Sequence, residues 1–168
     1  MNPLEDELSH AGLWLVSREH FRLFERNVFG TLMAEKFPST ILDIEEAGKC
    51  LAFGRSTACV FHLMRVVEVG LNRLAASLGV DFERNPNWDS ILKKVNRVIE
   101  QKVAADPQWK EHHFFSEASA YLFNVKNAWR NPTMHVAAVY DPERAQDIFN
   151  AVKSLMRHLA TKLSESIS

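Results

Sequence analysis

The six residues RNPTMH, numbers 130–135, hold the side chains best suited to chemistry in this chain. Arg130 stays positively charged and can donate paired hydrogen bonds to an oxyanion. His135 titrates near neutral pH and can act as a general acid or base. Asn131 precedes Pro132, and a residue before proline is disfavoured in the α-helical conformation. We therefore predict that a helix ends near Arg130 and that the break lets Arg130 and His135 converge. The alternative is a capping arginine and a core histidine.

Two segments are locally basic although the chain has a formal net charge of −1. Residues 118–140 contain no Asp or Glu, and residues 47–80 contain one, Glu68. If the two segments pack together, they would form a patch that attracts phosphate. The basic residues of the two segments are Lys126, Arg130 and His135, and Lys49, Arg55, Arg65 and Arg73.

A polar stripe follows the otherwise apolar segment 55–79. At about 100° per residue, five side chains fall within a band about 140° wide. These residues, called the polar stripe below, are His62, Arg65, Glu68, Asn72 and Arg73. Two interpretations stay open. The stripe faces solvent with an Arg65–Glu68 pair at three-residue spacing, or it lines a polar site or a symmetric interface.

Metal-ligand spacings are present but incomplete. His113 and Glu117 lie four residues apart on one predicted helix face, and Glu7 and His10 have the Glu-x-x-His spacing of di-iron bundles. Such a bundle needs that element twice, with two further inward glutamates, and no second copy exists. We predict no metal and no cofactor, and a metal-dependent helical bundle stays the third alternative.

The elements that must position these residues are helical. DPERAQDIFNAVKSLMRHLATKL repeats apolar residues at three- and four-residue steps, and Asp141 and Pro142 suit its N-cap and first position. Two further helices are predicted from STILDIEEAGKCLAFG, closed by Gly54, and RSTACVFHLMRVVEVGLNRLAASLG, which ends at Gly79, and these two would form an antiparallel hairpin. Two more are predicted from NWDSILKKVNRVIEQKV and PQWKEHHFFSEASAYLFNVKNAW. The predicted fold is all-α, a single domain of five or six helices. Its predicted core includes Phe61, Met64, Leu71, Phe149, Val152 and Met156.

The N-terminal segment is also predicted to be helical, broken near Gly30 and stopped by Pro38. We divide the chain into an N-terminal helical extension, residues 1–38, packed on a helical domain, residues 39–168. The chain has 168 residues, 46% of them hydrophobic and 24% charged, as expected for one globular domain. Two cysteines, no signal peptide and no membrane-length apolar run predict a cytoplasmic protein without membrane contact.

The chain resembles the HEPN family, the higher eukaryote and prokaryote nucleotide-binding helical domains. The resemblance covers about residues 40–163. It is carried by the all-helical plan, the central ACVFHLMRVVEVGLNRLA helix, and RNPTMH as an Arg-polar-x3-His element before the C-terminal helix. In this motif the arginine is Arg130, the polar residue Asn131 and the histidine His135.

The resemblance implies a metal-independent endoribonuclease. The RNA 2′-OH would attack the adjacent phosphorus, leaving 2′,3′-cyclic phosphate and 5′-OH ends, with Arg130 and His135 as catalytic residues. Asn131 would support the motif, and Glu68, Arg65, His62 and Asn72 of the polar stripe would line the cleft as weaker candidates. The implied partners are RNA, a second copy of the chain, since such domains typically pair as homodimers, and an antitoxin protein if the chain is a toxin or phage-defence component. The alternative is a non-catalytic helical interaction module or one that binds RNA or nucleotides.

Overall fold

The computed structural model describes residues 16–25, 27–81, 87–133 and 138–165, and these ranges contain helices and no strand, as predicted. The helices are α1 (Arg18–Phe21), α2 (Thr31–Lys36), α3 (Ile41–Ala52), α4 (Ser56–Ser77), α5 (Trp88–Ala105), α6 (His112–Val125), α7 (Asn131–Thr133) and α8 (Pro142–Ala160). Short 3-10 turns cover Arg22–Phe24 and Pro38–Thr40, and a π turn covers Lys126–Arg130. No helix of the described residues is both long and apolar enough to cross a bilayer.

Helices α3 and α4 form the predicted hairpin. The chain turns at Gly54, whose φ of 69° is the left-handed conformation that favours glycine. The Gly54 N–H donates to the Leu51 carbonyl at 3.1 Å, and the Arg55 N–H donates to the Cys50 carbonyl at 2.7 Å. This is the double hydrogen bond of a Schellman ending. The end of α4 repeats it around Gly79, which has the same φ.

Helix α4 is central, and α8 packs closely against it. Gly70 makes the close approach possible, because a Cβ there would lie 2.8 Å from Leu159 Cδ1 and 2.9 Å from Met156 Sδ. Five of the six predicted core residues are at most 4% exposed: Met64, Leu71, Phe149, Val152 and Met156. The sequence therefore identified the α4–α8 core correctly.

The sixth predicted core residue, Phe61, is wrong, because 47% of it is exposed. At 100° per residue Phe61 points between Arg65 and Glu68, so it belongs to the same outward face as the polar stripe. The apolar residues of α4 cover most of its circumference, and this obscured the one apolar side chain that lies on the polar face.

The described part of the N-terminal segment joins the same core. Gly30, with φ of 103°, precedes α2, in agreement with the predicted break. Phe29 packs edge-on against Phe149, with ring centroids 5.2 Å apart. Gly48 of α3 lets the backbone at Leu23 pack closely against that helix, since a Cβ at Gly48 would lie 2.5 Å from the Leu23 carbonyl oxygen. The division at residue 38 stays a prediction.

Local capping fixes the start of α8 next to the candidate motif. The Asp141 carboxylate accepts a hydrogen bond of 2.7 Å from the Arg144 N–H, and Pro142 occupies the first helical position. Both features agree with the sequence, since an N-cap carboxylate satisfies a free N–H and proline loses nothing there.

Candidate functional site

The helix does not end at Arg130, so the predicted break is wrong. Helix α6 continues through the π turn into α7, and Asn131 is helical, with φ of −62° and ψ of −50°. The Asn131 N–H donates to the carbonyl of Lys126, five residues earlier. A proline ring in an α-helix meets the carbonyl four residues before it, here that of Ala128. The wider π turn relieves this contact, so the chain tolerates Pro132 by changing helix type.

Arg130 lies at the end of the π turn and is half-buried. Its guanidinium carbon is 5.7 Å from the centroid of the Trp88 ring, a cation–π distance. Trp88 opens α5 and is 2% exposed. Within the described residues, no carboxylate lies within ion-pair distance of Arg130. The structure therefore holds the guanidinium on an aromatic face and leaves its charge without a described counter-ion.

His135 lies outside the described residues, so its position relative to Arg130 stays a prediction. The chain on either side is tied together. The Thr133 hydroxyl donates to the Trp129 carbonyl at 2.6 Å and lies 2.7 Å from the Tyr140 hydroxyl. The Tyr140 N–H in turn donates to the Thr57 hydroxyl at 3.1 Å, on the first turn of α4. These bonds fix both ends of the segment that contains His135 against α4.

Lys126 belongs to an ion-pair cluster and not to a basic patch. It is 6% exposed, and its Nζ lies 2.5 Å from Asp89 Oδ1. The other oxygen of Asp89 is 2.8 Å from Lys93 Nζ. Hydrogen bonds from Lys126 and then Lys93 lower the pKa of Asp89 to about 2. A lysine of the acid-free segment 118–140 is therefore neutralised by a carboxylate of α5.

Two basic residues of the polar stripe also meet a carboxylate, that of Asp43 in α3. Its carboxylate lies 2.8 Å from His62 Nδ1 and accepts hydrogen bonds of 2.8 and 3.0 Å from Arg65 Nε. Burial alone would raise the pKa of Asp43, but the hydrogen bonds from His62 and Arg65 outweigh it and lower that pKa. The Arg65–Glu68 pair of the first interpretation is thus replaced by a pair that crosses the hairpin.

The rest of the polar stripe faces outward or toward the C-terminus. Glu68 is exposed, Asn72 is half-buried, and Arg73 Nε donates to the Ser164 carbonyl at 2.8 Å. No hydrogen bond or ion pair between described residues joins the stripe to Arg130. The two predicted parts of the site are therefore not brought into direct contact within one chain.

The residues at metal-ligand spacing that the structure describes, His113 and Glu117, do not form part of a ligand group. His113 is exposed, and Glu117 instead faces His158 of α8, with Oε2 3.9 Å from Nε2. No three His, Cys, Asp or Glu side chains of the described ranges come together as metal ligands. Glu7 and His10 lie outside those ranges.

Sequence reasoning missed the residues that control charge at the site, above all Asp43 and Asp89. For Asp43 a signal existed. Asp43 and Arg65 each lie eleven residues from Gly54, so an antiparallel hairpin that turns at Gly54 places them side by side. For Asp89 no such signal exists, because 37 residues and a helix connection without a glycine turn separate it from Lys126.

No family model, curated protein or solved structure matches this chain.

Proposed function

We propose that the chain is a HEPN-like, cytoplasmic, metal-independent endoribonuclease. The observation that carries the proposal is Arg130: a half-buried guanidinium, oriented by Trp88, free of a described carboxylate and five residues before His135. An arginine that only stabilised the fold would usually be paired, because burying an uncompensated charge is costly. A phosphodiester would supply the missing negative charge.

The reaction that suits these residues is transesterification of RNA. His135 would take the proton from the 2′-OH, whose oxygen forms a bond to phosphorus while the bond to the 5′-oxygen breaks. A proton then passes to the departing 5′-oxygen. Arg130 would donate two hydrogen bonds to the phosphoryl oxygens, whose charge increases in the transition state. Asn131, exposed at the start of α7, would support the motif on the side that faces the substrate.

One motif offers one titrating group, and the second proton transfer would come from a partner copy in a homodimer. Two exposed apolar side chains near the motif favour this arrangement: Phe61, 47% exposed, and Val139, 84% exposed. Phe61 lies one turn after Thr57, which bonds Tyr140, and Val139 is the neighbour of Tyr140. Contiguous exposed apolar surface marks protein–protein contacts, and in the proposed dimer these two side chains would contribute to such a surface. The outward part of the polar stripe, with Glu68 and Asn72, would then line the shared cleft.

A toxin or phage-defence role with an antitoxin partner follows from the family resemblance and is part of the same proposal.

Cleavage of a mixed RNA substrate in the presence of EDTA tests the proposal. The wild type should leave 2′,3′-cyclic phosphate and 5′-OH ends, and light scattering should give about twice the 19.2 kDa chain mass. His135→Ala should abolish cleavage with little change in Tm, because it removes proton transfer. Arg130→Ala should weaken both RNA binding and rate, and Arg130→Lys should recover only part of the loss.

Arg97→Gln is the matched control, since it removes an exposed arginine from α5 without touching the motif. A folded, dimeric wild type that leaves diverse RNAs intact would refute the enzyme. A loss of several kcal/mol in stability on His135→Ala would identify a core histidine instead.

The second candidate is a non-catalytic binding module, and the ion pairs favour it. Asp43 pairs with Arg65 and hydrogen-bonds to His62, and Asp89 pairs with Lys126, so these basic side chains contribute less to a phosphate-binding patch. A module that recognises a protein partner needs no such patch. RNA binding without cleavage, or neither activity, would favour this candidate.

A further inference from the structure

A cavity of about 590 Å³ lies between the start of α2 and the last three turns of α8, away from the candidate motif. We call it the α8 cavity. Its α2 side is formed by residues 29–33, and Phe29 and Met33 close its floor, each 1% exposed. Leu32 is 46% exposed at the rim. The volume is within the range of small-molecule sites.

Helix α8 presents a continuous polar face to this cavity. Its members recur at intervals of i, i+3, i+4, i+7 and i+11, so at 100° per residue they lie within a band of about 100°. They are Asn150, Lys153, Ser154, Arg157 and Thr161, and all of them line the cavity. Lys153 is half-buried on this face, and the other four side chains are exposed at the mouth of the cavity.

Lys153 and Arg157 place two positive charges on this face, one turn apart. Like charges at this spacing repel each other. Among the described residues, no carboxylate lies within ion-pair distance of either one or lines the cavity. The helix dipole accounts for Arg157, which lies in the last turn of α8, but not for Lys153, one turn earlier. Lys153, half-buried, and Arg157, exposed, are therefore two cations on one face without an ion pair among the described residues.

Uncharged donors complete the site. The Asn150 carbonyl oxygen accepts a hydrogen bond of 3.3 Å from Gln146 Nε2, which leaves the Asn150 NH₂ group free to donate. Ser154 and Thr31 add hydroxyls to the wall. Two cations, an amide and hydroxyls around a small volume match the oxygens of a tetrahedral anion.

We propose that the α8 cavity binds a phosphate group, free or as a small phosphomonoester, between Lys153 and Arg157. In the ester, the organic part lies against Leu32 at the rim. This site is separate from Arg130 and does not depend on the ribonuclease proposal, because none of its residues belongs to the motif or the polar stripe.

Isothermal titration with inorganic phosphate, phenyl phosphate and phenol tests the proposal. Both phosphates should bind and phenol should not. Tighter binding of phenyl phosphate would identify an ester, and equal binding would identify free phosphate. Lys153→Gln and Arg157→Gln should each weaken binding about tenfold, the usual effect of one charge-assisted hydrogen bond. Arg97→Gln, which removes the same charge from α5, should leave binding unchanged.

The amide spectrum of the unmodified protein provides a second readout that does not depend on how the variants fold. Phosphate should shift the signals of Thr31, Ser154 and Arg157 and leave that of Arg97 in place. No binding, or equal losses in the Arg97→Gln control, would overturn the proposal, since the second result would mean diffuse attraction by surface charge.

Discussion

The cations around the hairpin and the π turn differ from those of the α8 cavity in what lies opposite them. Arg65 and Lys126 belong to segments with almost no acidic residues, yet each meets a carboxylate from another helix. Lys153 and Arg157 lie on a helix that also carries Asp147 and Glu143, yet neither is paired within the described residues. Local charge composition is therefore a poor guide to which cations are free, because a counter-ion acts through space and not along the chain.

Among the cations that are paired with a carboxylate, Lys126 should matter most for stability, so Asp89→Asn should cause the largest loss. It leaves Lys126 buried without its carboxylate, so the desolvation penalty remains and the attraction is lost. We expect Tm to fall by roughly 5 °C, measured by circular dichroism. Adding Lys126→Met should restore most of the loss, because it removes the charge that needs a partner. Equal melting of the single and double variants would show that Lys126 does not depend on Asp89.

The same ion pair predicts a pH window. Asp89 has a pKa of about 2 in the folded protein, below its ordinary value of 3.8. Its contribution is therefore complete above about pH 5 and is lost as the pH falls through 3.8 toward 2. The Tm difference between wild type and Asp89→Asn should shrink over that range. A difference that stays constant down to pH 2 would contradict the pairing.

Asp43→Asn should convert a neutralised region into one that resembles the α8 cavity. Stability should fall by about 1 kcal/mol or less, because 61% of the Arg65 side chain is exposed. Freed Arg65 and His62 should strengthen binding to single-stranded RNA. The logarithmic salt dependence should steepen by about 0.7 for each cation that contacts phosphate. The measurement uses the His135→Ala background, so that cleavage does not interfere.

Asp147→Asn makes the same change in net charge on an exposed part of α8 and serves as the control. An equal gain in RNA affinity from Asp147→Asn would mean that Asp43 has no special effect on the polar stripe.

Asn150→Asp should cause the smallest change in stability. It gives the α8 cavity a carboxylate, so that Lys153 would be paired as Arg65 and Lys126 are. An acid three residues before Lys153 should stabilise α8 by roughly 0.2–0.5 kcal/mol in urea unfolding. It should also abolish phosphate binding, because the new charge occupies Lys153 and repels the ligand. Unchanged phosphate affinity would show that Lys153 does not contact the anion.

Helix limits and caps were predictable because they depend on neighbouring residues. Gly54 and Gly79 end α3 and α4, and Asp141 with Pro142 begins α8, as the sequence indicated. Each of these signals acts over one helical turn, so no knowledge of the fold is needed.

The Asn131–Pro132 step shows where local rules fail. Proline ends a helix because its ring meets the carbonyl four residues earlier in α-helical geometry. In the π turn before Pro132 the hydrogen bonds span five residues, so this contact is relieved. The packing of Arg130 on Trp88 and the bonds of Thr133 to Trp129 and Tyr140 hold the chain in this alternative. Such contacts join residues up to 42 positions apart, so propensity could not foresee them.

The sequence by itself determined the all-helical plan, the α4–α8 core and the caps, because hydrophobic periodicity and turn residues act locally. The tertiary structure alone decided that Phe61 is on the surface, that Lys126 is neutralised by Asp89, and that Lys153 and Arg157 face a cavity that no carboxylate of the described residues lines. The physical reason is the same in each case. Burial and Coulomb attraction depend on distances between helices, and these are fixed only when the helices pack.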